Sequence, residues 1–262
     1  MKILIVSDTH VGSMSGLMPP KVKLYHPAGE KAFAVATTNQ LKLYKAWEQM
    51  VDDVGGVDMV FHLGDVVDGK QPKEEGMGLW STRIKDQVDA AVQLLKMVKF
   101  RGKPEYVLAE GTPYHTDRNP NADRLVAEEL GCGGNHYGPE VRIDIDGYKI
   151  HMAHKIGVST AAYRSTAMNR ELVMDQMTAS LKGTTYDLIL RGHCHYYVEV
   201  GGFRARGRTV PCWQFRTSYM AALGLGVQPE LGYLVLSDEE GGGWTIEAHQ
   251  IPLTSPIREV KK

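Results

Sequence analysis

Apolar and polar positions follow two periods along the chain. Residues 2–6 (KILIV) and 57–63 (VDMVFHL) are apolar runs too short for a helix, each ending abruptly in polar residues, and they read as buried strands. Residues 105–109 and 186–190 repeat the pattern. Between these runs the period lengthens. Leu41, Tyr44, Trp47, Met50, Val51 and Val54 recur at helical spacing over 38–54, with Gly55-Gly56 as the stop. Ile84, Val88, Ala91, Val92, Leu95 and Val98 do the same behind Ser81, which is placed to cap a helix ending at Gly102. A short helix follows Asn121 and closes at Gly131, and a longer one, rich in Met and Ala, covers 158–181 and stops at Gly183. Strands over 141–145 and 148–153 flank Asp146-Gly147, the clearest hairpin turn in the chain. Past residue 195 the pattern is strand-rich, over 196–200, 209–216, 232–237 and 244–251. Residues 12–38 show little periodicity and read as a long functional loop. Alternating strands and helices predict an α/β class.

Residues able to hold a metal ion gather where three of these strands end. Asp8 and His10 follow the first run, Gly64-Asp65-Val66-Val67-Asp68 follows the second, and Gly192-His193-Cys194-His195 follows 186–190. A lone Gly-Asp marks a turn more often than a site. Three such clusters at strand C-termini, where open α/β sheets place their ligands, argue for one pocket. In this order the motifs D-x-H, G-D-x-x-D and G-H-x-H make the chain resemble the calcineurin-like metallophosphoesterases over residues 8–195. The resemblance implies a four-layer α-β-β-α sandwich of two mixed sheets with flanking helices. It also implies a dinuclear centre, with Asp8, His10, Asp65 and His195 around one ion and Asp65, His154 and His193 around most of the other. His154 competes with His151 for its place. Strand alternation puts the two on opposite faces, and His154 stands at the strand's end, so His154 is preferred and His151 and His62 are read as interior histidines. Asp68 reads as a neighbour that orients His10 or an amide.

One motif departs from the family pattern. Where the family carries Gly-Asn-His, this chain has Gly111-Thr112-Pro113-Tyr114-His115. Thr112 therefore stands where an asparagine oxygen would bind the second ion, and the nearest histidine comes two residues late. Thr112 stays a candidate ligand, and His115 a candidate acid for the leaving group if Pro113 turns the chain suitably. The reaction implied is hydrolysis of a phosphate ester by a metal-bridging hydroxide, with Asp65 shared between the ions and Arg118 or Arg191 meeting phosphoryl charge. Imidazole with carboxylate suits two divalent transition ions, manganese first, then iron, zinc or nickel. The expected substrate is a phosphodiester of nucleotide or nucleic-acid type, suggested by a basic and aromatic strip over 203–216 with Arg204, Arg206, Arg208, Trp213 and Arg216. A phosphomonoesterase, and a binding protein that keeps the fold without turnover, are the alternatives.

Composition narrows the class without naming a substrate. The 262 residues, 43% hydrophobic and 23% charged, are those of an ordinary globular chain, and with no repeat, low-complexity tract or linker they read as one domain over 1–262. A net charge of −1 argues against an extended nucleic-acid surface. No stretch nears the ~20 apolar residues of a membrane span, and no cleavage site follows the first run, so a cytoplasmic location is expected. Cys132, Cys194 and Cys212 sit at no zinc-finger spacing and read as free thiols, the Cys194 side chain pointing away from its two neighbouring histidines.

Overall fold

Side chains of β1 (Lys2–Val6) alternate between two cores: Ile3 and Ile5 join one apolar cluster, Leu4 and Val6 another. The same sorting, repeated by its neighbours, builds the layers. The computed structural model describes residues 1–25, 31–116, 121–157, 163–202, 205–222, 228–238 and 243–254. Its further elements are β2 (Lys21–Leu24), β3 (Ala32–Val35), α1 (Thr38–Val54), β4 (Met59–His62), α2 (Ile84–Leu95) and β5 (Tyr106–Ala109). Then come α3 (Pro113–Thr116), α4 (Ala122–Glu129), β6 (Tyr137–Gly138), β7 (Glu140–Ile145), β8 (Tyr148–Ala153), α5 (Arg164–Lys182) and β9 (Leu188–Arg191). The chain finishes with β10 (Val198–Gly201), β11 (Arg206–Thr209), α6 (Ser218–Ala222), β12 (Gly232–Ser237) and β13 (Thr245–Gln250).

Six strands form one sheet in the order β13-β12-β1-β4-β5-β6, with β1, β4, β5 and β6 parallel. Five form the second, β10-β11-β9-β8-β7, with β8, β9 and β11 parallel. Between the sheets lie Ile3, Ile5, Phe61 and Leu234 of the first against Ile150, Met152, Leu188 and Leu190 of the second. On the outer face of the first sheet, Trp47, Met50, Val88, Leu94 and Val126 from α1, α2 and α4 cover Leu4, Val6, Val60 and Leu108. Outside the second sheet, Met168 and Leu172 of α5 pack on Ile189. The fold is the four-layer α-β-β-α arrangement of two mixed sheets that the motifs imply. No helix among the described residues is long and apolar enough to cross a membrane.

The local rules hold best where caps and turns are explicit. α1 starts on a capping box, Gln40 N donating to Thr37 Oγ1 at 3.3 Å and Thr37 N to Gln40 Oε1 at 3.0 Å, and ends at Gly55, as its periodicity predicts. Asn121 Oδ1 accepts from Arg124 N at 3.1 Å at the start of α4. Asp146 and Gly147 both have positive φ, 51° and 90°, as a two-residue hairpin turn requires.

Three expectations are corrected, and a fourth falls partly outside the described residues. The aperiodic stretch 12–38 contains the hairpin β2–β3, whose Val22 is buried against the helix side of the first sheet. Ser81 does not cap α2: its hydroxyl bonds Asp86 Oδ2 at 2.7 Å and accepts from Arg83 N at 3.2 Å, and the helix runs only from Ile84 to Leu95. The helix expected over 158–181 is described over Arg164–Lys182, residues 158–162 lying outside the described residues. Residues 209–216 are not a strand, because β11 ends at Thr209 and the chain then bonds three separate segments. Cys212 N reaches Glu230 O, Trp213 N reaches Asp8 O and Phe215 N reaches Ser15 O. The basic strip is consequently only in part a surface, with Arg206 and Arg216 half-buried. Trp213 is fully buried in T-shaped contact with Trp47, and Arg208 is buried with its guanidinium 2.6 Å from Glu199; Arg204 lies outside the described residues.

Candidate metal centre

The parallel strands bring their C-terminal ends to one side of both sheets. β1 leads into Asp8 and His10, β4 into Asp65 and Asp68, and β5 into Gly111, Thr112 and then His115 on α3; β8 leads into His154, and β9 into His193 and His195. The first two loops are zipped together beyond the strands, Asp8 N donating to Gly64 O at 3.1 Å, His10 N to Asp65 O at 3.1 Å and Val11 N to Val66 O at 2.9 Å. A buried relay braces the same pair. Gly64 N donates to His62 Nδ1 at 3.2 Å, His62 Nε2 faces Thr9 Oγ1 at 3.1 Å, and Thr9 Oγ1 donates to Val66 O at 2.8 Å. Holding side chains inward at strand ends strains the backbone. Among the described residues eight non-glycine residues have positive φ, and five of them are Asp8 (52°), His10 (43°), Asp65 (49°), His193 (71°) and His195 (55°). Two glycines make room for this crowding. A Cβ on Gly111 would overlap Asp65 Oδ1, and one on Gly192 would sit 3.0 Å from both Asp8 Oδ2 and His154 Nδ1.

Among the described residues three sets of three candidate donors result, Asp8, His10 and His195, then Asp65, His154 and His193, and a third of His10, Asp68 and His115 that shares His10 with the first, the donor atoms of each lying within 4.8 Å of one another. Asp8 Oδ1 stands between the first two sets. It is 3.1 Å from His195 Nε2, 3.7 Å from His10 Nε2 and 4.0 Å from His154 Nε2, while Asp65 Oδ2 is 3.0 Å from His154 Nε2. Partners behind the rings set their tautomers. His10 Nδ1 is 2.9 Å from Asp68 Oδ1 and His154 Nδ1 is 2.6 Å from Leu63 O, so each ring turns its Nε2 toward the carboxylates. Asp68 Oδ1 also lies 3.0 Å from His115 Nδ1, and the His115 and His10 rings meet edge to face at 4.5 Å. Thr112 donates its amide to Asp65 Oδ1 at 2.6 Å and sets its hydroxyl 3.2 Å from both Asp65 oxygens.

The chemistry of this set suits cations. Burial opposes charge on His10 and His154, yet Asp68 and Asp8 around the first, and Asp65 and Asp8 around the second, more than reverse it and raise them to about 10 and about 9. For Asp8 and Asp65 burial likewise opposes charge, and the surrounding histidines more than offset it, holding both carboxyls below the usual range. The Nε2 atoms of His10 and His195 face each other at 3.2 Å across Asp8, and His195 Nδ1 is buried without a hydrogen-bond partner. Nitrogens turned inward on a carboxylate floor are the kind of donors that could hold a divalent transition ion.

The structure brings Asp8, His10, Asp65, Thr112, His115, His154, His193 and His195 to this one region. His151 stands apart, stacked on Tyr186 at 4.9 Å and 3.2 Å from Arg191 Nη2. Arg191, which is also 2.8 Å from Glu171, is engaged there and does not face the donors; Arg118 lies outside the described residues. The Cys194 thiol reaches the Tyr196 carbonyl, not the donors. Sequence reasoning passed over Asp123. Its fully buried carboxylate accepts from Val66 N at 3.1 Å and from Gly111 N at 3.0 Å, and burial together with the Asp65 charge pushes it up to about 7. An acid in the first turn of a helix is commonplace, so the sequence carried no signal for it.

No curated protein matches the chain. Among solved structures, an archaeal phosphodiesterase is similar at 15% identity over 95% of this chain and 100% of that one, with a TM-score of 0.47. The zinc complex of Vps29 from Entamoeba histolytica is similar at 13% identity over 95% and 99%, with a TM-score of 0.46. Vps29 from Chaetomium thermophilum is similar at 10% over 99% and 97%, with a TM-score of 0.44. The family model of calcineurin-like phosphoesterases matches residues 1–136, which is more than half of the 262-residue chain and includes Asp8, His10, Asp65 and Thr112. The chain therefore belongs to the calcineurin-like metallophosphoesterases, a family that implies divalent metal ions and phosphate-ester substrates.

Proposed function

We propose that the protein is a two-metal phosphodiesterase. The observation that carries this reading is the pair of donor triads meeting at Asp8 Oδ1. Asp8, His10, Asp65 and His195 would hold one ion, and Asp65, Thr112, His154 and His193 the other; manganese is favoured by the mixed imidazole and carboxylate donors. What two such ions supply when bound is Lewis acidity: activation of a water and neutralisation of phosphoryl charge.

The chain's own residues do the rest. Asp68 holds the Nδ1 of both His10 and His115, so one carboxylate orients a metal donor and the candidate acid together. Burial lowers the His115 pKa, and Asp65 and Asp68 more than compensate despite the opposing His10 charge, so His115 is raised and keeps a proton on Nε2 to give to the departing alkoxide. Preference for a diester rests on charge. Among the described residues the ion pairs of Asp8, Asp65 and Asp68 are to histidines, a modest positive charge that suits the single negative charge of a diester. The interior position of Trp213 and Arg208 weakens the support for a nucleic-acid surface.

The test is Asp65→Asn, scored by bound metal and by hydrolysis of a nitrophenyl phosphodiester. Loss of both is expected, and undiminished turnover would overturn the reading. Comparing the wild-type rate on the matching monoester decides ester class: a faster monoester rate makes the protein a phosphatase.

A further inference from the structure

Asp123 belongs to no motif, yet its two oxygens accept from the amides beside the two residues on which the second ion depends. Val66 follows Asp65, and Gly111 precedes Thr112. The loops so joined come from β4 and β5, and they meet again where Thr112 N donates to Asp65 Oδ1 at 2.6 Å. We propose that Asp123 is a positioning residue of the metal centre: by accepting both amides it fixes the spacing of the Asp65 and Thr112 loops. The inference rests on the reading of the centre given above.

Acids are common in the first turn of a helix, but this one is turned onto the loops beside Asp65 and Thr112. A Cβ on Gly111 would lie 2.8 Å from Asp123 Oδ2 and would overlap Asp65 Oδ1, so two buried acids flank a single glycine. Like charges this near each other in the interior are costly. A contact needed only to seat α4 would be served by an apolar side chain, as Val126 serves it one turn later. What two divergent amide N–H groups require is a group with two acceptors and no donor. A carboxylate supplies two acceptors even though burial and the Asp65 charge oppose its ionisation, whereas an asparagine of the same shape would point its own N–H at one of the amides. The departure in the third motif fits this. Thr112 spends its amide and hydroxyl on Asp65, so the loop's service to the centre depends on its being held against Asp65, and Asp123 does the holding.

The experiment compares Asp123→Asn with Val126→Ala, a buried cavity variant on the same helix, using calorimetric Mn2+ titration, kcat and KM for a nitrophenyl phosphodiester, and thermal midpoints. Asp123→Asn is expected to weaken binding of the second Mn2+ about 10- to 100-fold and to lower kcat at limiting Mn2+ with KM unchanged, excess Mn2+ restoring the rate. Val126→Ala is expected to lower the midpoint with Mn2+ affinity unchanged. Wild-type Mn2+ affinity in Asp123→Asn, or affinity falling in parallel with the midpoint in Val126→Ala, would overturn the proposal while leaving the centre in place. If Asp123→Asn does not fold, Asp123→Glu keeps the charge but lengthens the reach, and the same selective loss is expected; wild-type affinity there counts against the proposal. A wild-type protein that binds no Mn2+ overturns the reading of the centre itself, and this inference with it.

Discussion

The Asp8, His10 and His195 triad and the Asp65, His154 and His193 triad use the same residue types but are finished differently. In the first every donor is buried, and His10 is held from behind by Asp68, whose other oxygen accepts from Gln71. In the second, Asp65 and His154 are equally deep, but His193 is exposed and meets the edge of the His154 ring at 5.2 Å. Residue type alone therefore does not set how firmly an ion is held. A donor ordered by its neighbours is in place before the ion arrives, whereas an exposed ring must be ordered by the ion at an entropic cost.

The severest way to test this contrast is to remove a donor from the buried half. Asp8→Ala takes away the atom that touches both triads, and hydrolysis of a nitrophenyl phosphodiester should fall on the order of 10³-fold with both ions lost from elemental analysis. Next in size is the separation of the two ions. Titration of the chelated protein should show a tight and a weak step, and His193→Ala should abolish the weak one alone, while His195→Ala weakens the tight one. Loss of both steps in His193→Ala would break the comparison. Asp68→Ala, which leaves every donor present, should weaken the tight step about 10- to 100-fold by freeing His10.

A smaller effect lies in the pH dependence of the chelated protein. His10 and His154 are raised from 6.5 to about 10 and about 9, so their protons bind more tightly in the folded chain than in the unfolded one. Their stabilisation is then complete below pH 6.5 and is lost as pH rises through 9 and 10. The thermal midpoint should fall across that range in chelator and become flatter with saturating Mn2+, because the ions replace the protons. A midpoint that rises there in chelator would contradict the assignment. Least of all should the far turn matter: Gly147→Ala, at φ 90°, should cost about 1 kcal/mol in denaturant melts and leave Mn2+ binding untouched.

Much of the fold was legible because it is local. The capping box of Thr37 and Gln40, the Asp146-Gly147 turn and the apolar runs at 2–6 and 57–63 each state their structure within a few residues. Chemistry was legible in the same way: Asp8, His10, Asp65, His193 and His195 occupy ordered motifs, and the end of a strand singled out His154 over His151. Residues 209–216 misled for a physical reason. Cys212, Trp213 and Phe215 have the apolar, aromatic character of a strand, but their hydrogen bonds go to segments distant in sequence, which no local period records.

What the chain determined by itself was thus the set of donors and the strands that carry them, since periodicity and motif spacing act over short distances. What only tertiary structure decided was which carboxylates share which imidazoles. Asp68 serving both His10 and His115, Thr112 turned onto Asp65, and Asp123 closing two loops all depend on backbones from two sheets meeting within hydrogen-bond reach. Such meetings are set by how the layers pack, and packing is a property of the whole chain that no short stretch contains.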